Sequence, residues 1–389
     1  MKGTHPVITL LGSHSGNNLG DAAILSSILE SFTKLLPHAE FLVPSPKPEF
    51  IDNNYGKKYN AKGIDIMPKT LSVRFFGFPT FKALYKSDIA LILDGIIFGK
   101  QLFNPAFNFL IVLVFVVPIA RMLGCKVVCY SCGIGPFPVI FSKTLAKWTL
   151  NACDLVIMRE NDSKKLAEDI GVTKPITVTG DAAFINPVSD DSVGKEILSN
   201  HGASSGPYIG LNVTSYFDGW LAPHERLSSK EAFLEILEGA FSEVSKSTGA
   251  KIVLFSTHPM DDPAVDFLGA KLNAVIVKNK EFLSHDIQAA MRQCDLFVGM
   301  RFHSIILASA VEVPVVALLY APKVKGYMRQ LGCEDLGLEL HKLTKENLTQ
   351  SLLSAWESRT EIKQKQKAVI DTLKEGAQRA AQTVAQRYF

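Results

Sequence analysis

Short apolar runs alternate with stretches of helical periodicity along most of this 389-residue chain. Residues 126–132 are typical of a buried strand, whereas residues 21–36 carry apolar side chains at three- and four-residue spacing, which predicts a helix. This order of elements is typical of strand-helix-strand units and parallel sheets, so we predict an α/β protein. The remaining strands are predicted at 7–11, 89–93, 155–158, 176–179, 208–213, 251–256, 274–277, 296–298 and 315–319.

With 389 residues the chain is long enough for two domains. Because 47% of its residues are apolar, each domain can have its own core. A Ser- and Gly-containing linker is predicted at 188–206, between domains at 1–187 and 207–345, and residues 346–389 are predicted to be helices that pack back on the first domain. We expect two Rossmann-like parallel-sheet domains facing a cleft. Ligands of such sheets bind at the carboxyl ends of the strands.

The charge balance and the cysteine content exclude several classes of protein. With 41 basic and 38 acidic residues, the chain is not built around nucleic acid. Six cysteines are too few for a disulfide scaffold and indicate reduced thiols in the cytoplasm. Cys125, Cys129 and Cys132 have no metal-finger spacing, and Cys129 and Cys132 should project from opposite faces of one strand. We therefore expect no metal site.

Two segments raise the question of membrane contact. Residues 101–120 carry no charge, and the intervening Asn and Pro residues favour a buried or surface-docked helix over an interfacial helix or a true span. Residues 69–86 mix Arg74, Lys82 and Lys86 with aromatic residues, which is typical of a surface that meets anionic lipid. The alternative is that these aromatic residues complete the core of the first domain. The expectation is a cytoplasmic protein, with possible peripheral contact at the inner membrane face.

Polar and cationic residues follow several of the predicted strands. The stretch 12–21 opens the first helix with glycines that permit a tight turn, but it has neither a dinucleotide fingerprint nor a P-loop. Arg159 follows one strand and either grips an anion or pairs with a neighbouring carboxylate. Arg301 and His303 follow another strand, and Lys323 follows the next one, so the three should converge on one anion.

These motifs together resemble the polysaccharide pyruvyl transferase family. The matching pieces are Gly16-Asn17-Asn18-Leu19-Gly20-Asp21, Gly133-Ile134-Gly135-Pro136, the stretch 159–163, Thr179-Gly180-Asp181-Ala182-Ala183-Phe184, and Gly299-Met300-Arg301-Phe302-His303 with Lys323 downstream. One departure is Asp94-Gly95-Ile96-Ile97-Phe98-Gly99, where the family usually has a Gly-rich run. The resemblance implies a GT-B-like fold, with the acceptor on the first domain and the donor on the second.

The resemblance also implies a reaction, in which the pyruvyl part of phosphoenolpyruvate becomes a ketal on two sugar hydroxyls and phosphate leaves. The acceptor would be a sugar of a polysaccharide or its lipid-linked precursor, and the scheme needs no cofactor beyond phosphoenolpyruvate as co-substrate. His303 is the expected general acid and base, because an imidazole with a pKa near 6.5 changes protonation state close to neutral pH. The other expected roles are catalysis by Arg301, donor binding by Arg159, Arg301, Lys323 and Ser163, and acceptor binding by Asn17, Asn18, Asp21, His258 and Asp262.

Two other functions are compatible with the same fold. A GT-B glycosyltransferase with a nucleotide-sugar donor would need a ribose-binding carboxylate late in the second domain, where Glu334 and Asp335 are the nearest candidates. An inactive, membrane-associated assembly factor would have kept the fold and lost the activity, and the retained set of Arg159, Arg301, His303 and Lys323 argues against it.

Overall fold

Two parallel sheets organise the chain in the computed structural model, which describes residues 5–105, 107–215, 221, 227 and 229–389. The chain divides into two units. Unit 1 comprises Met1–Gly16, Asp21–Ile185 and Leu373–Phe389, and unit 2 comprises Asn17–Gly20 and Asn186–Thr372. The predicted α/β class with two Rossmann-like sheets is therefore confirmed.

The sheet of unit 1 has the strand order β3-β2-β1-β4-β5-β6-β7, and all its pairings are parallel. Helices cover both faces of such a sheet, which explains why every residue of the central strand β4 is buried. The strands are Val7–Leu11 (β1), Glu40–Ser45 (β2), Ala61–Asp65 (β3), Ile89–Ile92 (β4), Lys126–Cys132 (β5), Leu155–Met158 (β6) and Ile176–Val178 (β7).

The sheet of unit 2 has the order β10-β9-β8-β11-β12-β13, again with parallel pairings throughout. Strand order reverses between β1 and β4 in unit 1 and between β8 and β11 in unit 2. Ligands of doubly wound sheets bind at these switch points, beyond the carboxyl ends of the strands. The strands are Tyr208–Asn212 (β8), Lys251–Ser256 (β9), Val275–Lys278 (β10), Leu296–Gly299 (β11), Val315–Leu319 (β12) and Gly337–Glu339 (β13).

Helices connect the strands in both units. The α-helices are Leu19–Leu35 (α1), Pro48–Ile51 (α2), Lys57–Tyr59 (α3), Phe78–Lys86 (α4), Leu110–Met122 (α5), Ile140–Ala152 (α6), Asn161–Asp169 (α7), Asp191–Asn200 (α8), Lys230–Thr248 (α9), Asp262–Leu272 (α10), Ser284–Met291 (α11), Phe302–Ala310 (α12), Pro322–Gln330 (α13), Lys345–Glu357 (α14) and Arg359–Tyr388 (α15). Short 3₁₀ or π turns occur at Asp52–Gly56, Pro68–Thr70, Ala182–Ile185, Pro259–Asp261, Glu334–Leu336 and Leu340–Lys342.

The segment predicted as a linker, 188–206, is not an irregular connection. It contains α8, which packs against α11 at Gly194, where an added side chain would overlap the Ala289 backbone. Buried Ile197 and Leu198 anchor the same helix in unit 2. The division between the units falls after Ile185, and the last part of the chain, Leu373–Phe389, belongs to unit 1.

The uncharged segment 101–120 forms α5 only from Leu110 onward. Leu110, Leu113 and Val116 are fully buried, so the inner side of this helix contributes to the core of unit 1, as predicted for a docked helix. Among the described residues, no helix combines the length and the apolar character that crossing a membrane requires.

Candidate functional site

The switch point of unit 2 is fixed by Asn212 at the end of β8. Asn212 is fully buried, and its Oδ1 accepts hydrogen bonds from the Arg301 backbone N–H at 3.0 Å and from Ser304 Oγ at 2.9 Å. Its Nδ2 donates to the Phe255 carbonyl at 2.9 Å. Because these bonds join β8, β9 and the turn after β11, the position of Arg301 is set by the core rather than by a mobile loop.

Arg301 is held in an ion pair with a buried carboxylate. Its Nε donates to Asp261 Oδ1 at 2.7 Å, and its Nη2 donates to Thr214 Oγ1 at 3.2 Å. Asp261 is inaccessible to solvent, whereas 19% of the Arg301 side chain is exposed. The guanidinium is thus ordered in advance, and the pair with Asp261 carries no net charge.

Phe302 brings the three predicted residues of this edge close together. It follows Arg301 in the chain and precedes His303, whose ring centroid lies 5.2 Å from that of Phe302. Lys323, in the first turn of α13, has its Nζ 5.5 Å from the Phe302 ring centroid. Both α12 and α13 begin here, and backbone N–H groups at a helix start favour a bound anion. The structure therefore gathers Arg301, His303 and Lys323 at one edge of unit 2.

The segment Asn17–Gly20 lies against the same edge as part of unit 2. The Leu19 N–H donates to the Thr257 carbonyl at 2.9 Å, and the Asn17 carbonyl accepts from Asn279 Nδ2 at 3.0 Å. A side chain added at Gly20 would overlap the imidazole of His303. Gly20 is therefore required for the position of His303.

Two predicted acceptor residues have local structural roles. Asn18 Oδ1 accepts from the Gly20 N–H at 3.0 Å and so satisfies a free donor at the start of α1. Asp262 begins α10, where its Oδ1 accepts from Ser256 Oγ at 2.6 Å. His258 precedes the same turn, and its pKa is lowered by burial and, less strongly, by the charge of Arg301. His258 thus lies close to Arg301 within unit 2, and Asp262 follows Asp261, the carboxylate that pairs with Arg301.

Arg159 of unit 1 forms the ion pairs that were the alternative interpretation of this residue. Its Nη1 lies 2.9 Å from Asp181 Oδ2, its Nε lies 2.6 Å from Glu160 Oε2, and only 6% of its side chain is exposed. Ser163 Oγ donates to Glu160 and accepts from the Ile134 N–H at 3.0 Å. A guanidinium between two carboxylates presents no net positive charge, so these contacts do not favour the predicted donor contact.

The switch point of unit 1 contains a buried pair that the sequence analysis did not select. Asp94 follows β4, and His14 follows β1 after Gly12; a side chain added at Gly12 would overlap both of them. Asp94 Oδ2 accepts from the Ser13 N–H at 2.9 Å. Burial, and then the nearby carboxylate of Asp21, raise the pKa of Asp94. Their positions after adjacent strands β1 and β4 were the signal that could have identified them.

The described residues contain no group of three or more His, Cys, Asp or Glu side chains arranged to hold a metal ion. Unit 2 offers a fixed guanidinium, an ammonium and an imidazole. Unit 1 offers buried carboxylates around Arg159.

The fold and the site define a two-domain α/β protein of the GT-B type, with a cationic site at the strand ends of its second sheet. The model of the family described as Polysaccharide pyruvyl transferase matches residues 18–322, and the chain belongs to that family. It is also 25% identical, over 403 aligned positions, to the amylovoran biosynthesis protein AmsJ of Erwinia amylovora, with 92% of this chain and 94% of AmsJ covered. These findings support a pyruvyl transferase role in polysaccharide synthesis.

Solved structures share the fold at low sequence identity. The UDP-GlcNAc 2-epimerase of Neisseria meningitidis, bound to UDP-GlcNAc, superimposes with a TM-score of 0.62 at 14% identity and covers 98% of this chain and 100% of its own. A glycosyltransferase of Rickettsia africae superimposes with a TM-score of 0.59 at 14% identity, with 99% of both chains covered. These likenesses confirm the predicted GT-B-like architecture and carry no information about the substrate.

Proposed function

We propose that this protein transfers the pyruvyl group of phosphoenolpyruvate to two hydroxyls of one sugar, which belongs to a polysaccharide or its lipid-linked precursor. The product is a ketal, and inorganic phosphate is released. The observation that carries the proposal is the convergence of Arg301, His303 and Lys323 at one strand-end edge of unit 2. That edge combines groups for anion binding with a group for proton transfer, within a chain of the pyruvyl transferase family.

Binding of the donor requires positive charge and hydrogen-bond donors with the right direction. Phosphoenolpyruvate carries a phosphate and a carboxylate, and a guanidinium binds either group through paired hydrogen bonds. Arg301 is paired with Asp261, so its contribution is directional, and Lys323 adds an ammonium group 5.5 Å from the Phe302 ring centroid. The starts of α12 and α13 add backbone N–H donors. We therefore assign donor binding to Lys323 and Arg301 together, and donor orientation to the ordered guanidinium of Arg301.

His303 is assigned proton transfer. In the first step it gives a proton to the methylene carbon of phosphoenolpyruvate, and one sugar hydroxyl forms a C–O bond to the neighbouring carbon. The proton of that hydroxyl returns to the imidazole. The C–O bond to phosphate then breaks, the second hydroxyl closes the ketal, and its proton leaves with the phosphate. The two hydroxyl protons thus balance the new methyl group and the released hydrogen phosphate, and Arg301 and Lys323 stabilise the charge on the leaving group.

Acceptor binding is assigned to residues beside this edge. Asn17, His258 and Asp262 belong to unit 2 and supply polar groups for sugar hydroxyls. Asn18 contributes by holding the start of α1, and Asp21 remains a predicted acceptor contact of unit 1.

We assign Arg159 and Ser163 a positioning role in unit 1 in place of direct donor contact. Their polar groups are already bonded to Asp181, Glu160 and the Ile134 backbone.

The test is the release of phosphate from phosphoenolpyruvate in the presence of candidate glycans. We expect release that depends on the acceptor, with His303→Ala losing turnover by about 100-fold or more but retaining the donor-induced thermal shift. Lys323→Ala should instead raise the phosphoenolpyruvate concentration needed for half-maximal rate. Release of a nucleoside diphosphate from a nucleotide sugar would favour a glycosyltransferase. Absence of both activities and of any donor-induced shift would favour an inactive assembly factor.

A further inference from the structure

Three consecutive helices of unit 1 carry large apolar side chains on their outer as well as their inner surfaces. Leu84 of α4, Leu113 of α5 and Leu145 of α6 lie in the core, and α5 contacts both neighbouring helices. On the outside, Phe78 of α4 is 80% exposed and Ile140 of α6 is 81% exposed. The exposure of aromatic and aliphatic groups of this size to water is unfavourable in free energy, so we expect the surface that carries them to be covered.

These exposed groups form one apolar face. Of the seventeen large apolar side chains that are exposed in the described chain, thirteen lie between residues 67 and 148. The rings of Phe76 and Phe115 lie 6.2 Å apart, and those of Phe103 and Phe141 stack at 6.2 Å and 14°. The apolar face is defined here by Leu71, Phe78, Phe103, Phe115, Ile140 and Phe141.

Helix α5 is apolar on its exposed side as well as on its buried side. Val116 and Val117 point into the core, while Phe115, Pro118 and Met122 are exposed on the opposite side. A helix that is apolar all round is normally covered on all sides. With 13 residues, α5 is too short to cross a bilayer and can only lie along one.

The charge around the apolar face identifies the partner. Between residues 66 and 153 the sequence has nine basic residues and two acidic ones, although the whole chain has a net charge of +3. Three of the nine, Lys69, Arg121 and Lys126, pair with the flanking Asp65 and Asp154. Of the two acidic residues, Asp88 accepts a hydrogen bond from the Val7 backbone and Asp94 is buried. Lys82, Lys86 and Lys143 are exposed among the aromatic groups. Basic residues interleaved with aromatic ones suit an anionic lipid surface.

We propose that this apolar face of unit 1 docks on the surface of an anionic lipid bilayer. A second copy of the chain is the competing occupant, but a symmetric dimer through this face would oppose two strongly basic surfaces. Phe75 is fully buried and belongs to the core, so the docking groups are the exposed aromatic residues around it. The proposal does not depend on the chemistry at the strand ends of unit 2.

The experiment is co-sedimentation of the full chain with vesicles of phosphatidylcholine alone and with phosphatidylglycerol added, in the absence of any substrate. We expect binding only to the anionic vesicles. The double variant Lys82→Gln/Lys86→Gln should weaken it about 30-fold, since each lysine near the surface contributes about fivefold. Phe78→Ser/Ile140→Ser should also release the protein, and because both side chains are exposed these changes should not unfold it.

The matched control is Lys195→Gln/Lys246→Gln, which removes the same charge from exposed positions of unit 2 and should leave vesicle binding unchanged. Equal binding to both kinds of vesicle, no binding to either, or an equal loss in the control would overturn the proposal. A dimer in light scattering that Phe78→Ser/Ile140→Ser converts to monomer, without vesicle binding, would assign the face to a second copy.

Discussion

His14 is a buried titratable residue of unit 1 whose protonation should lower the stability of the fold in acid. It is 2% exposed, and neither ring nitrogen has a hydrogen-bond partner among the described residues. Burial lowers its pKa from 6.5 to about 3. The imidazole is therefore neutral in the folded chain at pH values where the unfolded chain protonates it.

The sign of the effect follows from proton binding. Between pH 6.5 and about pH 3 the unfolded state holds one more proton at this position, so acid lowers the free energy of unfolding. At about pH 5 the loss from this group alone is about 2 kcal/mol relative to about pH 7.5. It approaches about 5 kcal/mol near pH 3, because each pKa unit corresponds to about 1.4 kcal/mol.

Asp94, beside His14, acts in the opposite direction. Its pKa is raised by burial first and by the charge of Asp21 second. A carboxyl group with a raised pKa stabilises the folded state at low pH, and this stabilisation is lost as the pH rises through the folded pKa. The pH dependence of the wild-type protein therefore combines both groups, and a variant is needed to isolate His14.

The assay is urea unfolding of wild type and His14→Leu at about pH 7.5 and about pH 5, where wild type should lose about 2 kcal/mol more than the variant. The variant keeps a similar side-chain volume and removes an unpaired polar ring, so it should fold. His5→Leu, at an exposed position, controls for removal of an imidazole from the chain. Equal losses in wild type and His14→Leu would refute the assignment of a buried neutral imidazole.

Further predictions concern the two strand-end sites. Gly20→Ala should lower kcat at least tenfold, because its methyl group displaces the His303 imidazole. The free energy of unfolding should change by no more than about 1 kcal/mol. The control is Gly239→Ala, which should keep its activity because the methyl group there meets only a flexible lysine side chain. Asp181→Asn should lower the free energy of unfolding by about 3 kcal/mol, since it leaves the buried charge of Arg159 with one carboxylate. If thermal unfolding of Asp181→Asn occurs at the wild-type temperature, the Arg159–Asp181 pair is not buried as described.

Most central strands could be predicted from the sequence because they are buried on both faces. The strands β5, β9 and β12 have the predicted bounds, and their residues are almost all buried. In contrast, β3 and β13 are edge strands with half-exposed residues, so they lack a long apolar run. The strand β2 contains Pro44, which argues against a strand. Its register with β1 ends at Leu42, so at Pro44 only β3 is paired with this strand.

The expected alternation of Cys129 and Cys132 failed for a local reason. The register of β5 with β6 shifts between these two residues, and Ser131 adopts a φ of 48°. This bulge places both cysteines in one core cluster, where a hydrogen bond with Cys132, and then burial, raise the pKa of Cys129. A strict period of two cannot anticipate such an insertion.

The grouping of Arg301, His303 and Lys323 at one edge could be predicted from the sequence, and their roles stay a prediction. The rule that ligands bind beyond strand ends selects Arg301, His303 and Lys323 because it depends only on position in the chain. In contrast, the ion pairs could not be predicted in this way. Arg159 pairs with Asp181, and Arg301 pairs with Asp261. Each carboxylate lies far from its arginine in the sequence, so the pairing depends on how the sheet is assembled.

Because Arg301 is paired with Asp261, its ability to orient the donor is separate from its ability to attract the donor's charge. Asp261 and Thr214 already hold the guanidinium, so donor binding orders little of this side chain, but the compensated charge adds little long-range attraction. Lys323 has a flexible stem, and we propose that its ammonium attracts the doubly negative donor. Salt screens such attraction, so the donor requirement should rise with ionic strength in wild type and much less in Lys323→Ala. Arg301→Lys should instead lower kcat more than affinity, because an ammonium cannot reproduce the two directed bonds.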